Sequence, residues 1–126
     1  MDVVAAVIEK EDRILICQRK RGSRHELKWE FPGGKVEAGE TLEFALAREL
    51  HEELSIDARI GEKIGEYTAQ YPGRSPISLH FFRVTDFTGE PVNLEFEQIV
   101  WETPVHLPDY DFLEGDIAFV RMLSSN

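Results

Sequence analysis

Residues 34–56 read GKVEAGETLEFALARELHEELSI, and three glutamates near the end of that stretch decide how the chain is understood. Thr41 is a good helix N-cap, and Leu42, Ala45, Leu46 and Leu50 recur three to four residues apart, so the spacing predicts a helix to about Leu54 with an apolar stripe facing a core. Glu49 and Glu53 stand one turn apart on that helix, with Glu52 beside them. Like charges at this spacing repel, and the negative end of the helix dipole adds to the conflict; each effect costs roughly 0.2–1 kcal/mol. Helix stability therefore argues against these residues. A hard divalent cation such as Mg²⁺ or Mn²⁺ removes the conflict, because it wants carboxylate oxygens clustered on a rigid element.

The same stretch is similar to the Nudix box, G-x5-E-x7-R-E-U-x-E-E-x-G-U with U aliphatic. Gly34, Glu40, Arg48, Glu49, Leu50, Glu52, Glu53 and Ile56 fall on the pattern with its spacing intact. Ser55 stands where the pattern has glycine, just past the helix where a left-handed turn is often needed. Serine tolerates that turn less well than glycine, at about 1 kcal/mol.

Outward from the box, residues 3–9 and 13–19 read as β-branched strands around the polar turn Lys10-Glu11-Asp12, which predicts a hairpin. A basic loop, Arg19 to Lys28, leads to Trp29-Glu30-Phe31, and Pro32-Gly33-Gly34 is expected to break the chain. Strands are expected near 60–71, 77–87 and 94–102, with a Pro/Gly-rich loop over Tyr71–Pro76 between the first two. Residues 104–115 look irregular, Asp116 is placed to cap a final helix from Ile117 to Leu123, and Ser124 to Asn126 are expected to fray. The order predicts an α/β (α+β) fold with a mixed sheet between helices, as one domain over residues 1–126. The family resemblance implies the same architecture, the Nudix α/β/α sandwich.

Composition narrows the partners. A net charge of −10 argues against nucleic-acid and membrane surfaces, and requires local cations or bound metal wherever a polyphosphate docks. The single Cys17 lies in an apolar run and excludes an internal disulfide; Val3 to Ile8 is strand-length, neither signal peptide nor membrane span. Reducing cytoplasm is the expected compartment, and a monomer or homodimer the expected state.

The resemblance also implies chemistry: Nudix enzymes hydrolyse a phosphoanhydride in a nucleoside diphosphate linked to another group. It implies Glu49, Glu52 and Glu53 as metal ligands with the Gly33 carbonyl, Glu49 or Glu52 as general base, and Arg48 as the partner that orients the cluster. A further ligand from beyond the box is Glu95 or Glu97, with Glu95 the better match. Trp29-Glu30-Phe31-Pro32-Gly33-Gly34-Lys35 is similar to the run typical of the MutT-like branch, which acts on nucleoside triphosphates. That branch implies Arg19 and Lys35 against phosphate. It implies Asp116 at the base, with Phe31, Arg74, Val4 and Ile77 around it, although Asp116 serves equally as a plain N-cap, Phe31, Val4 and Ile77 equally as ordinary core, and Arg74 equally as a solvated loop residue. A carboxylate accepts hydrogen bonds from guanine or from the cytosine amine. Oxidised guanine nucleotides such as 8-oxo-dGTP are the first expectation, (deoxy)cytidine triphosphates the second. Tyr71, 15 residues after Ile56, keeps dinucleoside polyphosphates in view, and a Nudix fold that binds without turnover stands as a different class. His80 either lines the cleft or serves as a satisfied strand histidine, His51 is expected on the surface away from the glutamate face, and His25 and His106 fall in no recognisable pattern.

Overall fold

Glu11 and Asp12 both adopt positive φ, 52° and 63°, the left-handed pair that lets a two-residue loop match the twist of its strands. They turn β1 (Asp2–Lys10) back onto β2 (Arg13–Gln18), with Lys10 opposite Arg13. The computed structural model describes residues 1–70 and 72–125. After the hairpin come β3 (Trp29–Glu30), β4 (Gly33–Lys35), α1 (Leu42–Leu54), β5 (Asp57–Arg59), β6 (Lys63–Ala69), β7 (Ile77–Val84), β8 (Asp86–Thr88), β9 (Gln98–Glu102) and α2 (Ile117–Ser124).

β1 organises the sheet. It runs parallel to β7, with Ala5 opposite Phe81, and antiparallel to β4, with Val4 opposite Gly34. β6 extends the sheet beyond β7, and β2 carries β3 and β9. Because side chains alternate along a strand, β1 feeds two cores. Val4, Ala6 and Ile8 pack with Ala45, Leu46, Leu50 and Leu54 of α1. Val7 joins Phe31, Phe81, Phe112, Phe119 and Val120 on the α2 side. Phe81 and Phe119 stack at 3.9 Å between ring centroids. A mixed sheet between helices results, as expected. No helix among the described residues is long and apolar enough to cross a membrane.

Several boundaries differ from the sequence expectations. Gly33-Gly34 does not break the chain but forms β4, because the missing Cβ lets the strand lie against β1; a Cβ on Gly33 would sit 1.9 Å from the Val4 carbonyl oxygen. The strand expected over 77–87 stops at Val84, and β8 leaves to pair with β5 in a separate two-stranded sheet. The strand expected from 94 starts at Gln98, since the preceding loop is used to close the end of α1: the Val92 N–H donates to Leu54 O and the Leu94 N–H to Glu53 O. The region from 104 is not wholly irregular, as Pro104–Asp109 forms a 3-10 helix. Asp116 makes no side-chain capping bond to α2. Ser124 and Ser125 do not fray, since their hydroxyls donate to Arg121 O and Met122 O.

Thr41 caps α1 by accepting the Phe44 N–H at 3.1 Å. At the other end Ser55 takes the left-handed conformation, φ 58° and ψ 34°, with its N–H on His51 O. That conformation costs a β-carbon-bearing residue roughly 1 kcal/mol more than glycine. Ser55→Gly is therefore expected to stabilise the protein by about 1 kcal/mol, read as a higher urea midpoint at unchanged slope. A lower midpoint would show that the serine side chain contributes something the backbone does not.

Candidate functional site

The last two turns of α1 lie over β4, and two glycines set the distance. A Cβ on Gly34 would come within 2.6 Å of the Glu49 carboxyl carbon, so only glycine lets that carboxylate settle onto the strand. One turn on, Glu53 Oε1 accepts the Gly33 N–H at 3.1 Å. Burial pushes the Glu53 carboxyl up to about 9, with the charges of Glu49, Glu30 and Glu95 adding to the effect and the Gly33 N–H opposing it. Burial also raises Glu49, against the pull of Arg48.

Arg48 holds the other side of the cluster. Its Nε and Nη2 grip both oxygens of Glu40 at 2.7 and 2.9 Å, Nη1 donates to Glu49 at 2.8 Å, and Nη2 reaches the Lys35 carbonyl at 3.2 Å. Glu40 in turn accepts the Glu37 N–H, and the Arg48 guanidinium holds its carboxyl down to about 2. Glu52 lies 3.7 Å from Arg48 and is 58% exposed. Glu95 adds negative charge at Glu53, whereas Glu97 turns away to accept the Arg21 N–H at 3.1 Å. Among the described residues no three acidic, His or Cys side chains converge in metal-ligating geometry, because Glu49 is turned onto Arg48 and Glu52 into solvent. The donor set nevertheless fits a hard divalent cation. It offers carboxylate oxygens, that of half-buried Glu53 held by the Gly33 N–H, over a glycine cradle.

Arg19 is pinned: Nη1 lies 3.3 Å from both Glu30 oxygens and Nε donates to Arg24 O at 2.7 Å. Lys35 is exposed at the end of β4. Beyond them opens a cavity of about 540 Å³ whose wall includes Val3, Lys28, Ile77, Leu79, Phe112 and Asp116. Asp116 is only 8% exposed. Burial pushes its carboxyl up to about 7, helped by the charge of Glu30 and opposed by the Phe31 N–H.

Three residues expected around a base do not line this cavity. Val4 is fully buried on the α1 face of β1; strand alternation gives the cavity to Val3 instead. Phe31 is 4% exposed and stacks on Phe112 at 5.4 Å, so Phe112 stands in the wall with Phe31 behind it. Arg74 is exposed in its loop, where its carbonyl accepts from Gln70, and is not part of the wall. Tyr71 lies outside the described residues. His80 does not line the cavity. Its Nε2 lies 2.9 Å from Asp2 on the α1 face, while its Nδ1 is buried without a hydrogen bond among the described residues.

Sequence reasoning passed over Glu30, whose side chain is 18% exposed and whose charge acts on Glu53 and Asp116 together. Lys28, read from sequence only as a cation of the basic loop, pairs with Asp111 at 2.8 Å in the cavity wall. A lone glutamate between two large aromatics was the available signal for Glu30.

Asp116 carries a pH consequence. Its folded carboxyl keeps a proton up to about pH 7, an unfolded one only to about pH 4. Between those values the native state binds more protons than the unfolded state, so this residue's contribution falls as pH rises. Asp116→Asn is expected to be more stable than the parent at pH 8, with the gap narrowing as pH drops from 7 toward 4. Urea melts across that range measure it, and a gap that widens in acid would contradict the burial.

The NUDIX domain model matches residues 1–123. The chain is 41% identical over 121 residues to the CTP pyrophosphohydrolase of Escherichia coli K12, covering 96% of this chain and 89% of that protein. It is 40% identical over 102 residues to the 8-oxo-dGTP diphosphatase of Haemophilus influenzae, covering 80% and 74%. Among solved structures, the E. coli ORF135 protein aligns with a TM-score of 0.86 at 40% identity, over 95% of this chain and 85% of that one. A MutT structure from a study of Aliivibrio salmonicida and Vibrio cholerae aligns with a TM-score of 0.82 at 31% identity, over 98% of each. With the box glutamates gathered over a glycine strand and the family match running through both helices, the chain belongs to the NUDIX domain family.

Proposed function

We propose that this protein hydrolyses a nucleoside or deoxynucleoside triphosphate to the monophosphate and pyrophosphate, with oxidised guanine nucleotides such as 8-oxo-dGTP preferred. The observation that carries this reading is Glu53. It is a half-buried carboxyl among carboxylates, set over Gly33 and close enough to Glu30 for that residue's charge to reach both Glu53 and the cavity's Asp116. Family membership supports phosphoanhydride hydrolysis, and the likeness to the H. influenzae 8-oxo-dGTP diphosphatase supports the choice of substrate.

The Gly33 carbonyl, Glu49, Glu52, Glu53 and Glu95 would hold Mg²⁺ or Mn²⁺, which when bound neutralises phosphate charge and acidifies water. Arg48, gripping Glu40 with two bonds, keeps Glu49 turned toward the strand. Glu49, or Glu52 in its place, accepts the proton of the attacking water. Arg19 and Lys35 set fixed positive charge beside the phosphates, with Glu30 holding the Arg19 guanidinium in position. Val3, Ile77 and Leu79 wall the base away from water while Asp116 accepts one of its N–H groups.

A cytidine substrate is the second reading. It is favoured by the 41% identity to a CTP pyrophosphohydrolase and by a carboxylate suited to the cytosine amine. Net charge of −10 and the free, buried Cys17 support action on a free nucleotide in the cytoplasm.

Pyrophosphate release with Mg²⁺ across common nucleoside triphosphates, 8-oxo-dGTP and modified dCTPs tests the proposal. We expect 8-oxo-dGTP to lead and Glu53→Gln to lose at least about 100-fold. The same variant in EDTA is expected to gain about 1 kcal/mol, a few degrees in Tm, because the native site disfavours ionisation of Glu53 and glutamine carries no ionisable group. A lead for cytidine nucleotides would move the substrate and leave the site intact. No release from any triphosphate would refute hydrolysis of this class and turn the reading to dinucleoside polyphosphates, then to a binding role.

A further inference from the structure

The loop between β2 and β3 is the most basic surface of an acidic protein. Residues 19–28 carry Arg19, Lys20, Arg21, Arg24 and Lys28 against Glu26 alone, in a chain of net charge −10. Arg19 and Lys28 are accounted for by Glu30 and Asp111. Lys20, Arg21 and Arg24 are exposed and make no ion pair among the described residues. Charges that only kept the loop soluble would require no particular backbone.

The backbone here is held closely. The ends close on each other through Arg19 N–H to Lys28 O and Leu27 N–H to Arg19 O, at 2.9 and 3.0 Å. Inside, Ser23 N–H and its hydroxyl both donate to Lys20 O, the Gly22 N–H donates to Glu26, and Gln18 reaches Leu27 O. His25 and Leu27 sit at φ 56° and 62°, and a branched leucine there is a strained choice. Position adds the second argument. The Arg21 N–H is bonded to Glu97, two residues from Glu95 and its field at Glu53, while His25 and Lys28 stand in the cavity wall. One rigid loop therefore spans from the carboxylate cluster to the base cavity.

Resting on the proposed triphosphate activity, we infer that the exposed cations of the 19–28 loop form a capture surface for the polyphosphate chain. This surface draws the anion past the protein's negative field before Arg19 and Lys35 engage it. Field lines focused at a charged cleft raise association rates by about 10- to 1000-fold, and they fade as salt shortens the screening length.

The test is kcat/KM for the preferred triphosphate against NaCl, for the parent and for R21Q/R24Q. A K10Q/R13Q control removes the same charge at the far end of the hairpin. At about 20 mM salt the loop variant is expected to lose 5- to 10-fold in kcat/KM at unchanged kcat, with the loss gone near 0.5 M. The control should lose less than twofold. Equal losses in both variants, or a salt-independent fall in kcat, would overturn the inference. If the parent releases no pyrophosphate at all, the failure belongs to the activity. The loop is then judged by inorganic triphosphate binding to the same three proteins, where an R21Q/R24Q affinity equal to the parent at low salt overturns it.

Discussion

The carboxyl of Glu53, half-buried with the Gly33 N–H as its hydrogen-bond donor, sets the terms for everything around it. Ionising it is costly, because its neighbours are more carboxylates. The fold tolerates this because the conflict is localised. Arg48 neutralises Glu40 and Glu49 on one flank, two glycines bring the strand close enough to donate an N–H, and the 92–94 segment closes the last carbonyls of α1. Two apolar cores on either side of β1 hold those pieces in register. Stability supplied by the cores is what keeps a destabilised cluster in place.

Glu30 makes the site electrically continuous. It lies between the helix cluster and the cavity, raises the proton affinity of Glu53 and of Asp116, and is itself raised by burial with Arg19 opposing. An anion that draws Arg19 toward itself would loosen the pair with Glu30, so a change at Arg19 reaches both Glu53 and Asp116 through one side chain.

How much of this was legible in the sequence depends on the element. α1 was, because Thr41, a 3.6-residue apolar period and a stop near Leu54 all agree. The hairpin was legible because its strands and polar turn are distinct. β4 was not: two glycines after a proline read as a break, and only the close approach to Val4 reveals why a strand is there. β5 and β8 are three residues each, too short for any period. Val4 was set near the base only by the family resemblance, and a strand apolar on both faces does not disclose which face turns where. The glutamates of the box read as one group in sequence, and only the fold separates half-buried Glu53 from exposed Glu52.

The sheet is also assembled out of order. β1 is made first, but its neighbours β4 and β7 follow only from residues 33 and 77 onward, and β7 joins it in parallel across the whole middle of the chain. During synthesis the hairpin with β2 is the one pairing β1 can make early, and its other edge stays open until Val84 has emerged. Parallel pairings of such separation close slowly, because a long loop must be ordered before any contact rewards it. An apolar strand that waits with one edge unpaired is where nascent chains associate with one another. The central place of β1, which aligns Gly33 and Gly34 under the helix, is thus also the point at which this protein's folding is most exposed to its surroundings.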